Sequence, residues 1–265
     1  MSLRVLLLGD IVGKPGREIL TEKLAGLRES RNIAFCIANA ENASGGSGLT
    51  RENAAEVFNA GADVITLGDH VWKRKEIAGL MQSDSRILRP QNYSPLASGT
   101  GVGIYNLPTG EKIAVMNFLG RVFMKPADCP FRGADQALRQ VAPHTRNIFV
   151  EIHAEATAEK IALGWHLDGR ATCVYGTHTH VATADERVLP EGTAYITDIG
   201  MTGPHDGVLG RRKDRVIKAT LTQMPFSFDV SKGDVRITGA IVTFDPASGK
   251  AEAIERIQIS RDETP

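Results

Sequence analysis

Short apolar runs recur along the chain, and most of them stop at a polar residue able to do chemistry. Leu3–Leu8 is the first; a run of that length without polar alternation is the pattern of a strand buried on both faces, and it delivers Gly9-Asp10 to its end. From about Gly16 to Ser30 the spacing lengthens, placing Ile19, Leu20, Leu24 and Leu27 on one face, which predicts a helix. Ile33–Ala38 predicts a second strand, followed by Asn39-Ala40-Glu41-Asn42. After the loop from Ala43 to Gly48, Thr50 is placed to cap a helix running to Asn59, with Gly61 as its stop. A third strand, Asp63–Leu67, delivers Gly68-Asp69-His70.

The middle of the chain changes character. Gly101–Leu107 and Lys112–Phe118 are apolar runs joined by Pro108-Thr109-Gly110-Glu111, a hairpin signal that requires antiparallel pairing. The strand-helix alternation then resumes: a helix over Ala134–Val141, a strand Asn147–Ile152 delivering His153-Ala154-Glu155, and a helix from Ala156 to about Trp165. The strand Ala171–Tyr175 ends at Gly176-Thr177-His178-Thr179-His180, and Thr193–Thr197 runs into a glycine-rich loop, Asp198 to Gly207. Val235–Phe244 and Ala251–Ile259, around Asp245-Pro246-Ala247-Ser248-Gly249, predict a closing β-hairpin. With no repeats, low-complexity tracts or linkers, one mixed α/β domain over residues 1–265 is the economical expectation.

Composition narrows the classes. The 265 residues are 42% hydrophobic and 23% charged, enough to bury a sizeable core. Lys+Arg and Asp+Glu both number 31, so no net charge calls for a nucleic acid or a membrane surface as a stable partner. Cys36, Cys129 and Cys173 are far apart without a CxxC spacing, the pattern of buried free thiols in a cytoplasmic protein. The N-terminal apolar run is too short for a signal peptide, and no stretch has the roughly 18 apolar residues of a membrane span. Composition leaves the oligomeric state open, a homo-oligomer included.

Pooling the strand ends is more informative. Five of them present Asp10, Glu41 with Asn42, Asp69 with His70, His153, and His178 with His180. Open α/β sheets bind ligands where their strands end. In an extended segment residues i and i+2 point the same way, so His178 and His180 are expected to aim into one crevice, with Thr179 turned away. Three carboxylates, an amide and three or four imidazoles exceed what one tetrahedral zinc takes. They suit two metals roughly 3.5–4 Å apart sharing a carboxylate. Oxygen and imidazole donors without cysteine point to iron, manganese or zinc.

The ordered motifs Gly-Asp-Ile-Val-Gly at 9–13, Ala-Asn-Ala-Glu-Asn-Ala at 38–43, Gly-Asp-His-Val-Trp at 68–72, His-Ala-Glu-Ala-Thr at 153–157 and Gly-Thr-His-Thr-His-Val at 176–181 resemble the calcineurin-like metallophosphoesterases, and more closely their YmdB-type subfamily. The resemblance implies a four-layer α/β sandwich with mixed sheets and two metal ions per chain, iron or manganese foremost, zinc or magnesium next. It implies hydrolysis of phosphodiesters, with 2′,3′-cyclic nucleotides as the small-molecule substrates. It also implies that Asp10, Glu41, Asn42 and His180 ligate one metal, that Glu41 bridges to a second held by Asp69, His153 and His178, and that His70 is the proton donor to the leaving alkoxide. The expected chemistry is attack by a metal-bridging hydroxide on phosphorus.

Three departures qualify it. Val12 stands where the wider superfamily has a histidine, and Glu41 where it has a bridging aspartate; both are subfamily features. The third is particular to this chain: Asp69 stands where the subfamily usually has asparagine, adding a full charge that bears on metal preference. Asp10 to Gly16 matches neither a dinucleotide-binding loop nor a P-loop. Arg211-Arg212-Lys213 reads as a solvated helix face, His144 and His166 as surface residues, and His205 as a candidate substrate contact. Two rivals are an amidohydrolase, against which the late His-x-His and the lack of eight βα units count, and a regulatory or RNA-associated scaffold with weak phosphoesterase activity, against which neutral charge counts.

Overall fold

A computed structural model describes residues 2–264. Its strands are β1 (Leu3–Leu8), β2 (Asp10–Ile11), β3 (Phe35–Asn39), β4 (Val64–Thr66), β5 (Ile87–Leu88), β6 (Val102–Asn106), β7 (Lys112–Leu119), β8 (Asn147–His153), β9 (Cys173–Thr177), β10 (Arg187–Val188), β11 (Ala194–Ile196), β12 (Met201–Pro204), β13 (Val235–Phe244) and β14 (Ala251–Ser260). Its helices are α1 (Gly13–Ser30), α2 (Arg51–Ala60), α3 (Ile77–Ser83), α4 (Pro130–Val141), α5 (Thr157–His166) and α6 (Lys213–Thr222).

The strands form two mixed sheets. The first has the order β2-β12-β13-β1-β3-β4-β5, with β14 on the other edge of β13. Its β1, β3, β4 and β5 are parallel, as successive βα units require, and β13 runs antiparallel to β1 with Leu7 opposite Ala240. The second, β10-β11-β9-β8-β7-β6, is parallel through β11, β9, β8 and β7 and is closed at its edges by antiparallel β10 and β6.

Alternation along buried strands builds the layers. On β1, Leu6 and Leu8 meet Ile19, Leu20, Leu24 and Leu27 of α1, while Val5 and Leu7 face the second sheet. Ile113, Val115, Phe149 and Tyr175 reach back from that sheet to fill the space between the two. The second sheet's far side, with Met116, Phe118, Val150 and Val174, is covered by α4 and α5 through Ala134, Leu138 and Leu163. The result is a four-layer α/β sandwich, as expected from the motifs. Thr50 accepts from Asn53 N at 3.3 Å at the start of α2. Thr50→Ala is expected to cost about 1 kcal/mol, read as a lower urea midpoint with an unchanged slope.

Several boundaries differ from the sequence reading. α4 begins at Pro130 rather than Ala134, because proline's fixed φ suits a first helical turn. The glycine-rich segment is not simply a loop: Met201–Pro204 is β12, pairing in parallel with Asp10 and Ile11. Gly9 permits this exchange of partners, since a Cβ there would lie 2.1 Å from Gly200 O. Helix α6 has no buried residue, so no apolar period announced it. Cys36 and Cys173 are buried free thiols, and Cys129 is a half-buried one. No described helix is long and apolar enough to cross a membrane.

Candidate metal centre

The carboxyl ends of strands from both sheets converge on one crevice. The first sheet contributes Asp10 within β2, Glu41 and Asn42 just past β3, and Asp69 and His70 past β4; the second contributes His153, the last residue of β8, and His178 and His180 beyond β9. Asp10, Glu41, Asn42 and His153 are buried; the other four are half-buried.

Within the crevice the donors form two groups. Glu41, Asp69, His153 and His178 offer atoms that all lie within 4.8 Å of one another. His153 Nε2 is 3.2 Å from Glu41 Oε1, 3.6 Å from Asp69 Oδ1 and 3.0 Å from His178 Nδ1. Beside them, Asn42 Nδ2 lies 3.2 Å from His180 Nε2, 3.2 Å from Glu41 Oε1 and 3.5 Å from Asp10 Oδ1, and His180 Nε2 is 3.7 Å from Asp10 Oδ1. Glu41 Oε1 is common to both groups.

Partners on the far side of each ring decide which nitrogen faces inward. His180 Nδ1 is 3.2 Å from Leu209 O, which can only accept, so Nδ1 carries the proton and Nε2 turns a lone pair to Asp10 and Asn42. His178 Nε2 faces Glu155 Oε2 at 3.3 Å, which leaves Nδ1 for Asp69. Thr177 donates its hydroxyl to Glu151 Oε1 at 2.7 Å, so its oxygen accepts from His153 Nδ1 at 2.9 Å and leaves Nε2 free. Asn39 Nδ2 and Tyr175 OH also donate to Glu151, at 2.6 and 3.1 Å.

Charge in the crevice is unbalanced. Burial alone would raise the Glu41 carboxyl, but His153 and His70 beside it hold it well below the usual range. Burial works against ionised Asp69 too, yet the His153 ring beside it leaves it at about 2. Burial pushes Asp10 up. His153, which burial would make easier to deprotonate, is instead pushed well above the ordinary imidazole range by Glu41, Asp69 and Asp10. Burial, reinforced by His153, brings His178 down to about 4. The cluster thus favours positive charge at its centre. Asp69 Oδ1 is buried there without a hydrogen-bond partner, an acceptor whose burial is costly until a cation or donor meets it.

The two histidines of the Gly-x-His-x-His motif are not in an extended segment. His178 and His180 have φ of 94° and 64°, so a turn, not strand alternation, directs them, and it sends them to different groups. Thr179 points away, its Oγ1 and N both donating to Asp198 Oδ2 at 2.7 and 3.2 Å. His70 donates its backbone N–H to Glu41 Oε2 at 3.0 Å, its Nδ1 lies 2.8 Å from Asn42 Oδ1, and its Nε2 is 4.0 Å from Asp69 Oδ2. His144 and His166 are exposed, whereas His205 is half-buried with Nε2 on Met201 O at 3.1 Å. Arg211 is not part of a solvated helix face; it grips Gly45 O and Gly46 O of the loop after Asn42. The supporting residues Glu151, Lys160 and Asp198 carried no motif signal, while Asn39 and Thr177 sat inside the motifs at 38–43 and 176–181 without an assigned role, and Glu155 lay in view two residues past His153.

Two mixed sheets between helices, with this donor set at their shared edge, define a metallophosphoesterase. A family model described as "YmdB-like protein" matches residues 6–257, and the chain belongs to that family. It is 45% identical to a 2′,3′-cyclic-nucleotide 2′-phosphodiesterase of Bacillus subtilis over 98% of each chain. It is 33% identical to a putative phosphatase/phosphodiesterase of Mycoplasma genitalium, over 99% of this chain and 95% of that one. Among solved structures, a hypothetical protein from Thermus thermophilus superposes with a TM-score of 0.92 at 38% identity, covering 97% of this chain and 99% of that one. A phosphatase from Mycoplasma pneumoniae also gives 0.92, at 32% identity over 98% and 94%.

Proposed function

We propose that this chain hydrolyses 2′,3′-cyclic nucleotides with two metal ions held by Asp10, Glu41, Asn42, Asp69, His153, His178 and His180. The coarser statement, a hydrolase acting on phosphoester bonds, follows from its family. The observation that carries the finer one is the pair of donor groups sharing Glu41 Oε1, with the orphaned Asp69 Oδ1 in one of them. Glu41 and Asp69 held ionised, with His178 and His180 turning lone pairs inward, fit cations, and His153, pushed up by the same carboxylates, would give up its inner proton as a cation took that place. Asp10, Asn42 and His180 would hold one, Asp69, His153 and His178 the other, with Glu41 between; iron or manganese suits this mixture of oxygen and imidazole. Bound there, the cations would supply a hydroxide near neutral pH and neutralise charge growing on the phosphate oxygens.

The chain's own residues do the rest. Asn42 Oδ1 lies 2.8 Å from His70 Nδ1 and accepts its proton, with a second lone pair left on the same oxygen. With Nδ1–H engaged there, a second proton on Nε2 would be the one passed to the departing sugar oxygen, and the ring that remains is a neutral imidazole. Asn42 in this way ties a proposed ligand to the acid. Lys125, whose Nζ lies 3.3 Å from Asp69 Oδ2, adds a cation at the rim for a phosphate oxygen.

The test is metal analysis of protein purified under reducing conditions, then turnover of 2′,3′-cyclic AMP and location of the phosphate left on the product. Failure to open the cyclic ester with manganese or ferrous iron present would refute the substrate. His70→Ala is expected to keep both metals and to slow turnover about 10²–10⁴-fold, with a smaller loss on a nitrophenyl ester whose leaving group needs no proton. Equal rates for native and variant enzyme on the cyclic nucleotide would remove His70 from that role.

A further inference from the structure

Lys160 and Asp198 are both fully buried, with Nζ 2.8 Å from Oδ2. Burying an ion pair commonly costs more than the attraction returns, so a pair kept in such a place calls for a reason other than stability. Neither residue is among the proposed ligands, and both grip the backbone that carries two of them. Lys160 Nζ donates to Thr177 O at 2.7 Å, on one side of His178. Asp198 Oδ2 receives Thr179 N at 3.2 Å and Thr179 Oγ1 at 2.7 Å, on the other side. Asp198 is itself fixed, since Oδ1 accepts from Gly200 N at 2.8 Å.

The grip is close. A Cβ on Gly176 would lie 1.8 Å from Thr197 O and 2.8 Å from Lys160 Cδ, so the glycine of the motif is what lets β9 approach the pair. His178, between these holds, and His180, just past the second, are non-glycine residues at positive φ, a conformation that persists only when its surroundings over-determine it. We infer that Lys160 and Asp198 are positioning residues: together they hold the His178-Thr179-His180 turn in the strained form that sends one imidazole to Asp69 and the other to Asp10. The inference rests on the two-metal reading above, because splitting the pair of rings matters only if each serves its own ion.

Mn²⁺ titration followed by electron paramagnetic resonance tests it, on Thr179→Val, Thr179→Ser and the near-isosteric, uncharged pair Lys160→Met/Asp198→Asn, with thermal unfolding and kcat and KM recorded alongside. The folded double variant is expected to bind Mn²⁺ about 10–100-fold more weakly, the range typical when partners that orient ligands are lost. Thr179→Val should move in the same direction, and Thr179→Ser, which restores the hydroxyl, should regain the affinity. Valine and double variants that bind Mn²⁺ as tightly as native protein, even with lowered melting temperatures, would show a merely structural pair and overturn the inference. If the double variant does not fold, the valine and serine variants decide alone. Native protein binding fewer than two Mn²⁺ would remove the reading beneath the inference, and the inference with it.

Discussion

Glu41→Gln is expected to leave the protein folded, to lower its metal content from two ions towards one, and to reduce kcat about 10³-fold, equivalent to roughly 4 kcal/mol of lost charge stabilisation. Glu41 Oε1 is the one atom shared by the two donor groups, and Oε2 also receives the backbone N–H of His70. Glutamine keeps the shape and one oxygen but removes the charge that His153 and His70 hold in place. It also puts an N–H₂ where acceptors crowd, so one ion loses its shared ligand. Elemental analysis of the variant beside single-turnover kinetics checks both halves; two ions retained with unchanged kcat would rule out a bridging role.

The second large effect concerns the seam between the sheets. Phe149 is fully buried and meets Phe244 edge-on, with centroids 5.6 Å apart, at the centre of the core shared by both layers. Phe149→Ala is expected to cost about 3–5 kcal/mol and to lower the melting temperature by roughly 10 °C for a chain of this size. Differential scanning calorimetry reads it directly. Phe149, Glu151 and His153 alternate onto the same face of β8, so the cavity opens one step below the residue that orients His153. A shift of only a degree or two would mean that the two sheets do not depend on this contact.

What the sequence made legible were features with a local physical signature. β1, β3, β4, β8 and β9 sit between two layers and read as mainly apolar runs, and their ends carry Asp10, Glu41, Asp69, His153 and His178. Thr50 and Gly61 announced both ends of α2. What stayed hidden depends on contacts distant in the chain or on backbone angles. β12 exists because the chain leaves β13 after β1 and lies, as β2, beside Met201, and glycines masked it as loop. Lys160 on a helix looks like any solvated lysine until Asp198, remote in sequence, arrives beneath it. The His178-Thr179-His180 residues read as extended because nothing in one threonine and two histidines signals positive φ.

One division in the crevice has a mechanical side. Every proposed carboxylate and amide ligand comes from the first sheet, and every proposed imidazole ligand from the second. On that reading hard oxygen and borderline nitrogen belong to opposite halves of the sandwich, and neither half alone would assemble a site. A cation seated between them would act as a fastener: at a hundredfold excess over its Kd it would add about 2.7 kcal/mol against separation of the layers. A chelator would then do more than silence the enzyme. It would also weaken, by that amount, the seam that Phe149 and Phe244 close from within.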